Sequence, residues 1–250
     1  MNIRDLMTDN ELFGPLFGGD SWQPWRALLA GFYGLTLTSA ERETFEALTG
    51  LSEPSSDGYA ELWQVIGRRG GKSNIAALLA VFEAFFRSHS EGLAPGEVAT
   101  VFIVAADRRQ SRVVMRYIEG LIDSNPMLES MVARRQTESI ELSNRCVIEV
   151  GTCSIRALRG YTLAAAILDE IAFWLADGAR PDTEVVNSIR PALATLGGPL
   201  IALSSPYAKR GALWNTFKRH HGQQGRVLVA KAPSLTMNPT LPPHVVTEAL

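Results

Sequence analysis

Three short stretches of this 250-residue chain carry residue types that do chemistry together: Ile66-Gly67-Arg68-Arg69-Gly70-Gly71-Lys72-Ser73, Leu168-Asp169-Glu170 and Leu203-Ser204-Ser205-Pro206. In the first, Gly70 and Gly71 let the backbone turn its N–H groups inward around a polyphosphate at the positive end of a following helix. Lys72 then reaches the β- and γ-phosphates, and the Ser73 hydroxyl ligates Mg²⁺. The loop departs from the usual G-x-x-x-x-G-K-[ST] pattern at its first position, where Ile66 stands in place of glycine. In the second stretch, Asp169 is placed to hold Mg²⁺ through its water shell, and Glu170 to orient and deprotonate the water that attacks the γ-phosphate. In the third, two small hydroxyls end an apolar strand, a position from which Ser204 and Ser205 would sense loss of the γ-phosphate and pass it on. A serine pair there is also an ordinary turn signal.

These residues need particular elements around them. Leu62–Ile66 is a short apolar run of strand character, and 74–82 is rich in helix formers without a breaker, the flanks a phosphate loop requires. Beyond it, strand and helix signals alternate: strands over 98–105, 163–168, 199–203 and 226–230, helices over 108–122, 182–196 and 211–220. That alternation predicts an α/β fold with a mostly parallel central sheet between helical layers. The glutamate directly after Asp169 points to the ASCE/RecA-like class of P-loop NTPases. Segments 138–142 and 146–150, joined by Ser143-Asn144-Arg145, read as a hairpin set beside that sheet. Residues 1–58 read as an N-terminal helical region, with one helix over 22–33 and another capped by Ser39; 59–231 form the ATPase core. From 232 onward, proline, threonine and asparagine suggest an extended linker.

Composition bounds the alternatives. The chain is 46% hydrophobic, enough for one substantial core. It has no apolar run near the roughly 20 residues of a membrane span and no signal-peptide pattern at its start, so cytoplasmic residence is expected. Cys146 and Cys153 lack zinc-ligand spacing with any histidine and read as reduced thiols. A net charge of −2 gives no global signature of nucleic-acid binding, so any DNA contact must be local. Arginine pairs such as Arg108-Arg109 and Arg134-Arg135 read by themselves as solvated faces. No Asn-Lys-x-Asp element for guanine is present, which favours ATP.

With its three motifs in this order, the chain resembles the ATPase half of the large terminase subunit, the DNA-packaging motor of tailed double-stranded DNA phages. That family replaces the first glycine of the loop and carries an early arginine, as in Gly67-Arg68-Arg69-Gly70-Gly71-Lys72-Ser73. Leu158-Arg159-Gly160-Tyr161-Thr162, Ile171-Ala172-Phe173-Trp174 and Ser204-Ser205-Pro206-Tyr207 with Gly211-Ala212-Leu213-Trp214 also match it. The resemblance implies Lys72 and Ser73 for phosphate and Mg²⁺, Asp169 for Mg²⁺, Glu170 as catalytic base and Ser204-Ser205 for coupling. It further implies Arg68 as a sensor of the γ-phosphate and Arg159 as an arginine finger acting in a neighbouring subunit's site, against a plain structural role at a strand edge. Adenine recognition falls to Trp22-Gln23-Pro24-Trp25-Arg26, with Gln23 the candidate contact. The implied partners are double-stranded DNA, portal protein, small terminase subunit and further copies of the chain in a ring, on a procapsid in the host cytoplasm.

The family's C-terminal nuclease is not expected here. After Asp182 and Glu184 the only acid is Glu248, so the carboxylate cluster for two metals cannot form. Either the chain is an excised ATPase domain or the natural protein continues beyond Leu250, and the linker-like ending favours the first. Two other functions stay open on sequence: a helicase-like nucleic-acid-dependent ATPase, and a nucleotide-gated assembly protein with weak hydrolysis.

Overall fold

A computed structural model describes residues 1–152, 160–174 and 181–242, with Pro181 described by its backbone alone. Eight strands form one sheet: β1 (Glu61–Ile66), β2 (Ala99–Ala105), β3 (Val132–Arg135), β4 (Ser139–Leu142), β5 (Cys146–Thr152), β6 (Thr162–Asp169), β7 (Leu200–Ser204) and β8 (Val227–Ala232). Their order is β3-β4-β5-β2-β6-β7-β1-β8. From β5 to β8 all neighbours are parallel, while β3 and β4 close one edge antiparallel. The hairpin therefore continues the sheet, because β5 runs in full register along β2 from Ala99↔Cys146 to Ala105↔Thr152. It is not a separate ribbon.

Side chains alternate between two apolar layers, as the period of a strand requires. On one face Leu62, Ile66, Ile103, Ile167 and Leu203 pack with the first group of helices: α1 (Ile3–Thr8), α2 (Gly14–Phe17), α3 (Gln23–Phe32), α4 (Ser39–Thr49), α5 (Lys72–Val81), α6 (Arg108–Asp123) and α7 (Pro126–Ser130). On the other face Trp63, Phe102, Leu168 and Ala202 pack with α8 (Pro181–Leu193) and α9 (Gly211–His220). This is the helix–sheet–helix layering that alternating strand and helix signals imply, since each face of a parallel sheet needs cover.

Local sequence sets the helix ends. Thr38, not Ser39, caps α4: its hydroxyl accepts from the Glu41 N–H while the Glu41 side chain accepts from the Thr38 N–H, a reciprocal box that Ser39, one residue inside, cannot make. The helix stops at Gly50, whose φ of 74° suits a residue without Cβ. Asp107 caps α6 by accepting from the Arg109 and Gln110 N–H groups. Beyond β8 the expected linker begins as structure. Ser234–Met237 forms the short helix α10, and Met237 is buried in the main core, seated beside the 67–71 loop.

Candidate active site

The strand order brings the chemical residues to one edge. β7 lies between β1 and β6, so the loop after β1, the carboxylates ending β6 and the serines ending β7 emerge side by side at the carboxyl ends of adjacent strands. That is where ligands bind in open parallel sheets. A cleft of about 420 Å³ opens there, lined by Arg68, Arg69, Gly71, Lys72, Ser73, Glu170 and Ser205 among others.

The loop from Gly67 to Gly71 is held from two sides. Gly71 takes φ 89° at the start of α5, and a Cβ there would press on the Trp22 ring at 3.1 Å. The Trp25 indole donates to the Gly70 carbonyl at 2.9 Å, a buried bond. From the other side, Ser234 crowds Gly67 so closely that a Cβ would meet its Oγ at 2.3 Å, and the Asn238 amide donates to the Arg69 carbonyl at 3.0 Å. Arg69 has φ 61°, a conformation that costs a side-chain-bearing residue energy unless its surroundings hold it.

Lys72 is buried, and its ammonium donates to the Ser205 hydroxyl at 2.8 Å and to the Ile66 and Gly67 carbonyls, both at 3.3 Å. It stands 3.5 Å from Glu170 Oε1. The other carboxylate oxygen, Oε2, accepts from the Ser205 backbone N–H at 2.9 Å and the Ser204 hydroxyl at 3.1 Å. Ser204 Oγ also accepts from the Ala172 N–H at 3.2 Å, tying the strand end to the turn after Glu170. Glu170 itself has φ 51°, so the chain reverses sharply at this residue.

Asp169 precedes it at the strand end, 3% exposed, with Oδ1 buried and unpartnered among the described residues. Burial, and then the charge of Glu170, push its carboxyl up to about 7 against the opposing pull of Lys72. An orphaned carboxylate oxygen in such a place suits a cation. Among the described residues there is no group of three His, Cys, Asp or Glu that could hold a metal. A hard divalent cation would therefore take one carboxylate and the Ser73 hydroxyl and complete its shell with water and phosphate oxygens, the pattern of Mg²⁺.

The structure brings Gly67, Arg68, Arg69, Gly70, Gly71, Lys72, Ser73, Asp169, Glu170, Ser204 and Ser205 to this edge. It does not bring Gln23 there: the Gln23 amide pairs with the Thr44 hydroxyl at 3.2 Å, and Ser21 and Trp22 line the cleft instead. The sequence points to the right segment, but which residue of a helix start faces a cleft depends on how the helix docks. Arg159, Leu158 and Cys153 lie outside the described residues; Cys146 is buried, and burial pushes its thiol up to about 12. Tyr117, Met237, Asn238 and Thr240 also line the cleft, and sequence reasoning does not find them. Tyr117 sits on a helix read only for its ends, and the last three fall in the stretch read as linker.

No known family pattern and no curated protein matches the chain. Solved structures do. The Thermus phage P74-26 large terminase ATPase domain superposes with a TM-score of 0.55 at 17% identity, over 72% of this chain and 78% of that one. A point variant of the same domain gives a TM-score of 0.56 at 15% identity, over 89% and 88% of the two chains. The HK97 bacteriophage large terminase matches with a TM-score of 0.55 at 16% identity over 83% of this chain, which spans 44% of that protein. With its mostly parallel eight-stranded sheet and site edge, the chain has the fold of phage large terminase ATPase domains.

Proposed function

We propose that this cleft binds ATP with Mg²⁺ and hydrolyses it, and that the hydrolysis drives duplex viral DNA into a procapsid. The observation that carries the reading is the contact set around Glu170, where one carboxylate oxygen faces Lys72 and the other is gripped by Ser204 and Ser205. Oε2 is committed to two donors, which leaves Oε1 as the oxygen able to take a proton from an attacking water. Lys72, already held by two backbone carbonyls of its own loop, is the cation for the β- and γ-phosphates, and Arg68 and Arg69 at the cleft mouth add charge for the outer phosphate. Asp169 and Ser73 would hold Mg²⁺, which supplies charge neutralisation on the phosphate oxygens. Trp22 offers a flat apolar face beside Gly71 for the base, in place of Gln23.

Coupling follows from the same bonds. When Oε1 gains a proton, the charge that Ser204 and Ser205 hold through Oε2 falls; Ser204 ends β7 and Ser205 directly follows it. The segment after them leads into α9, so a change at Glu170 has a direct mechanical route out of the site. Arg159 is proposed to act in trans in a ring of copies, with portal and small terminase subunit as further partners.

A triplex-displacement assay tests the motor reading: the chain, at concentrations that permit assembly, is given ATP and a duplex carrying a third strand. Displacement with ATP and none with Glu170→Gln or Lys72→Ala is expected. Brisk ATP turnover without displacement would exclude translocation and leave an ATPase of another purpose.

A further inference from the structure

We infer that the groove between α6 and the β3–β4 turn seats the phosphate backbone of duplex DNA. This inference rests on the motor reading for the identity of the polyanion, but its geometry is independent of the ATP cleft. The groove, about 480 Å³, is lined by Arg109, Arg112, Met115, Arg116, Glu119 and Thr137. Arg109, Arg112 and Arg116 are spaced three and four residues apart, so they stack along one helix face over about 10 Å. Arg108 adds a fourth guanidinium at the helix start, and no acid interrupts the run before Glu119.

All four arginines are exposed, none forms an ion pair with a described residue, and none of their guanidinium groups donates a hydrogen bond to one. The neighbouring Arg134 and Arg135 differ, being paired with Glu141 and Asp123. Like charges one helical turn apart repel and destabilise a helix, so an uncompensated row contributes nothing to the fold. Its opposite face does that work through Val114, Ile118 and Ile122. A single small anion would need converging donors; a row of forks along a groove matches a repeating chain of phosphates, and guanidinium is the group that binds phosphate bidentately. The net charge of −2 means that such attraction must come from a local row of this kind.

The location gives the row a use. Tyr117, the residue after Arg116, lines the ATP cleft, and α6 packs along α5, the helix that begins at Lys72. One helix therefore borders both the nucleotide and the groove.

The test is the salt dependence of binding to a labelled random-sequence duplex, measured for the full chain and for Arg109→Ala/Arg112→Ala/Arg116→Ala. Losing three phosphate contacts lowers the log–log salt slope by about 2–3 and the low-salt affinity by about 10- to 100-fold. Glu119→Gln, which removes the groove's acid, is expected to tighten binding. A control triple, Lys218→Ala/Arg219→Ala/Arg226→Ala, takes the same charge from an exposed surface elsewhere and is expected to leave the slope within one unit of the parent's. Equal losses in both triples, or none in the first, would overturn the assignment. So would a parent chain that ignores duplex but retains poly-glutamate through these arginines, which would make the groove a seat for an acidic protein. ATP turnover recorded on the same samples separates failure of the groove from failure of the nucleotide reading, since the groove residues named do not line the ATP cleft.

Discussion

Asp169 is the residue whose placement serves the fold least. Its carboxylate is buried beside Glu170, and one oxygen lacks any partner among the described residues, with the charge of Lys72 and a backbone hydrogen bond from Glu170 offsetting only part of the cost. The Mg²⁺ proposed for this site would account for a group held at such expense. Asp169→Asn is therefore expected to abolish Mg²⁺-dependent turnover yet raise stability by about 1–2 kcal/mol at pH 8, about 2–8 °C in Tm. Calorimetry beside an ATPase assay checks this, and a lowered Tm would show that the carboxylate is structural. Glu170 and Lys72 differ in kind, since each satisfies the other and both are anchored by Ser205. That mutual arrangement is invisible in sequence, where Lys72 and Ser205 stand 133 residues apart. The residue types at the strand ends were legible because phosphate chemistry restricts them; their pairing was not, because it depends on β7 lying between β1 and β6.

At the scale of elements, the loop's shape is maintained by α3 and by the tail after β8. Periodicity reveals strands and helices whose apolar residues face a core, so most element positions could be read directly. It is silent on Trp25 bonding a carbonyl 45 residues away and on a tail whose proline, threonine and asparagine suit a linker equally well. It is silent too on how α5 ends, in a wide π-turn over Phe82–Phe86 that buries Glu83 against the Tyr33 hydroxyl at 2.7 Å. Burial pushes the Glu83 carboxyl up to about 7, with the Tyr33 bond and Arg87 pulling it back. The native state thus holds this proton more tightly than the unfolded chain. The stabilisation is complete below the unfolded value of 4.5 and is lost as pH rises to about 7. The loss amounts to about 3 kcal/mol over that window. Asp169 contributes a fall of the same sign over the same window. Denaturant melts at pH 5 and pH 8 are therefore expected to show a smaller fall in Glu83→Gln than in the parent chain, by about 3 kcal/mol; an equal fall in both would place the pH dependence elsewhere.

The whole molecule has the fold of a terminase ATPase domain, with the candidate site at one sheet edge and an arginine-lined groove across α6 from it. If Arg159 completes a neighbour's site, as proposed, then activity per molecule depends on assembly, and a missing arginine finger costs about 10³-fold or more. ATPase activity per mole of chain is expected to climb with protein concentration, and to be recovered in part when Arg159→Ala is mixed with Glu170→Gln. A flat dependence would place every catalytic group within one chain. The central claim is simpler than the ring: Glu170 takes the proton of the water that splits ATP in this cleft. Single-turnover hydrolysis at saturating Mg–ATP, with nucleotide binding measured alongside, tests it directly in Glu170→Gln. The account predicts unchanged binding and a rate about 10²- to 10⁴-fold lower than the parent's; hydrolysis at the parent's rate would contradict it.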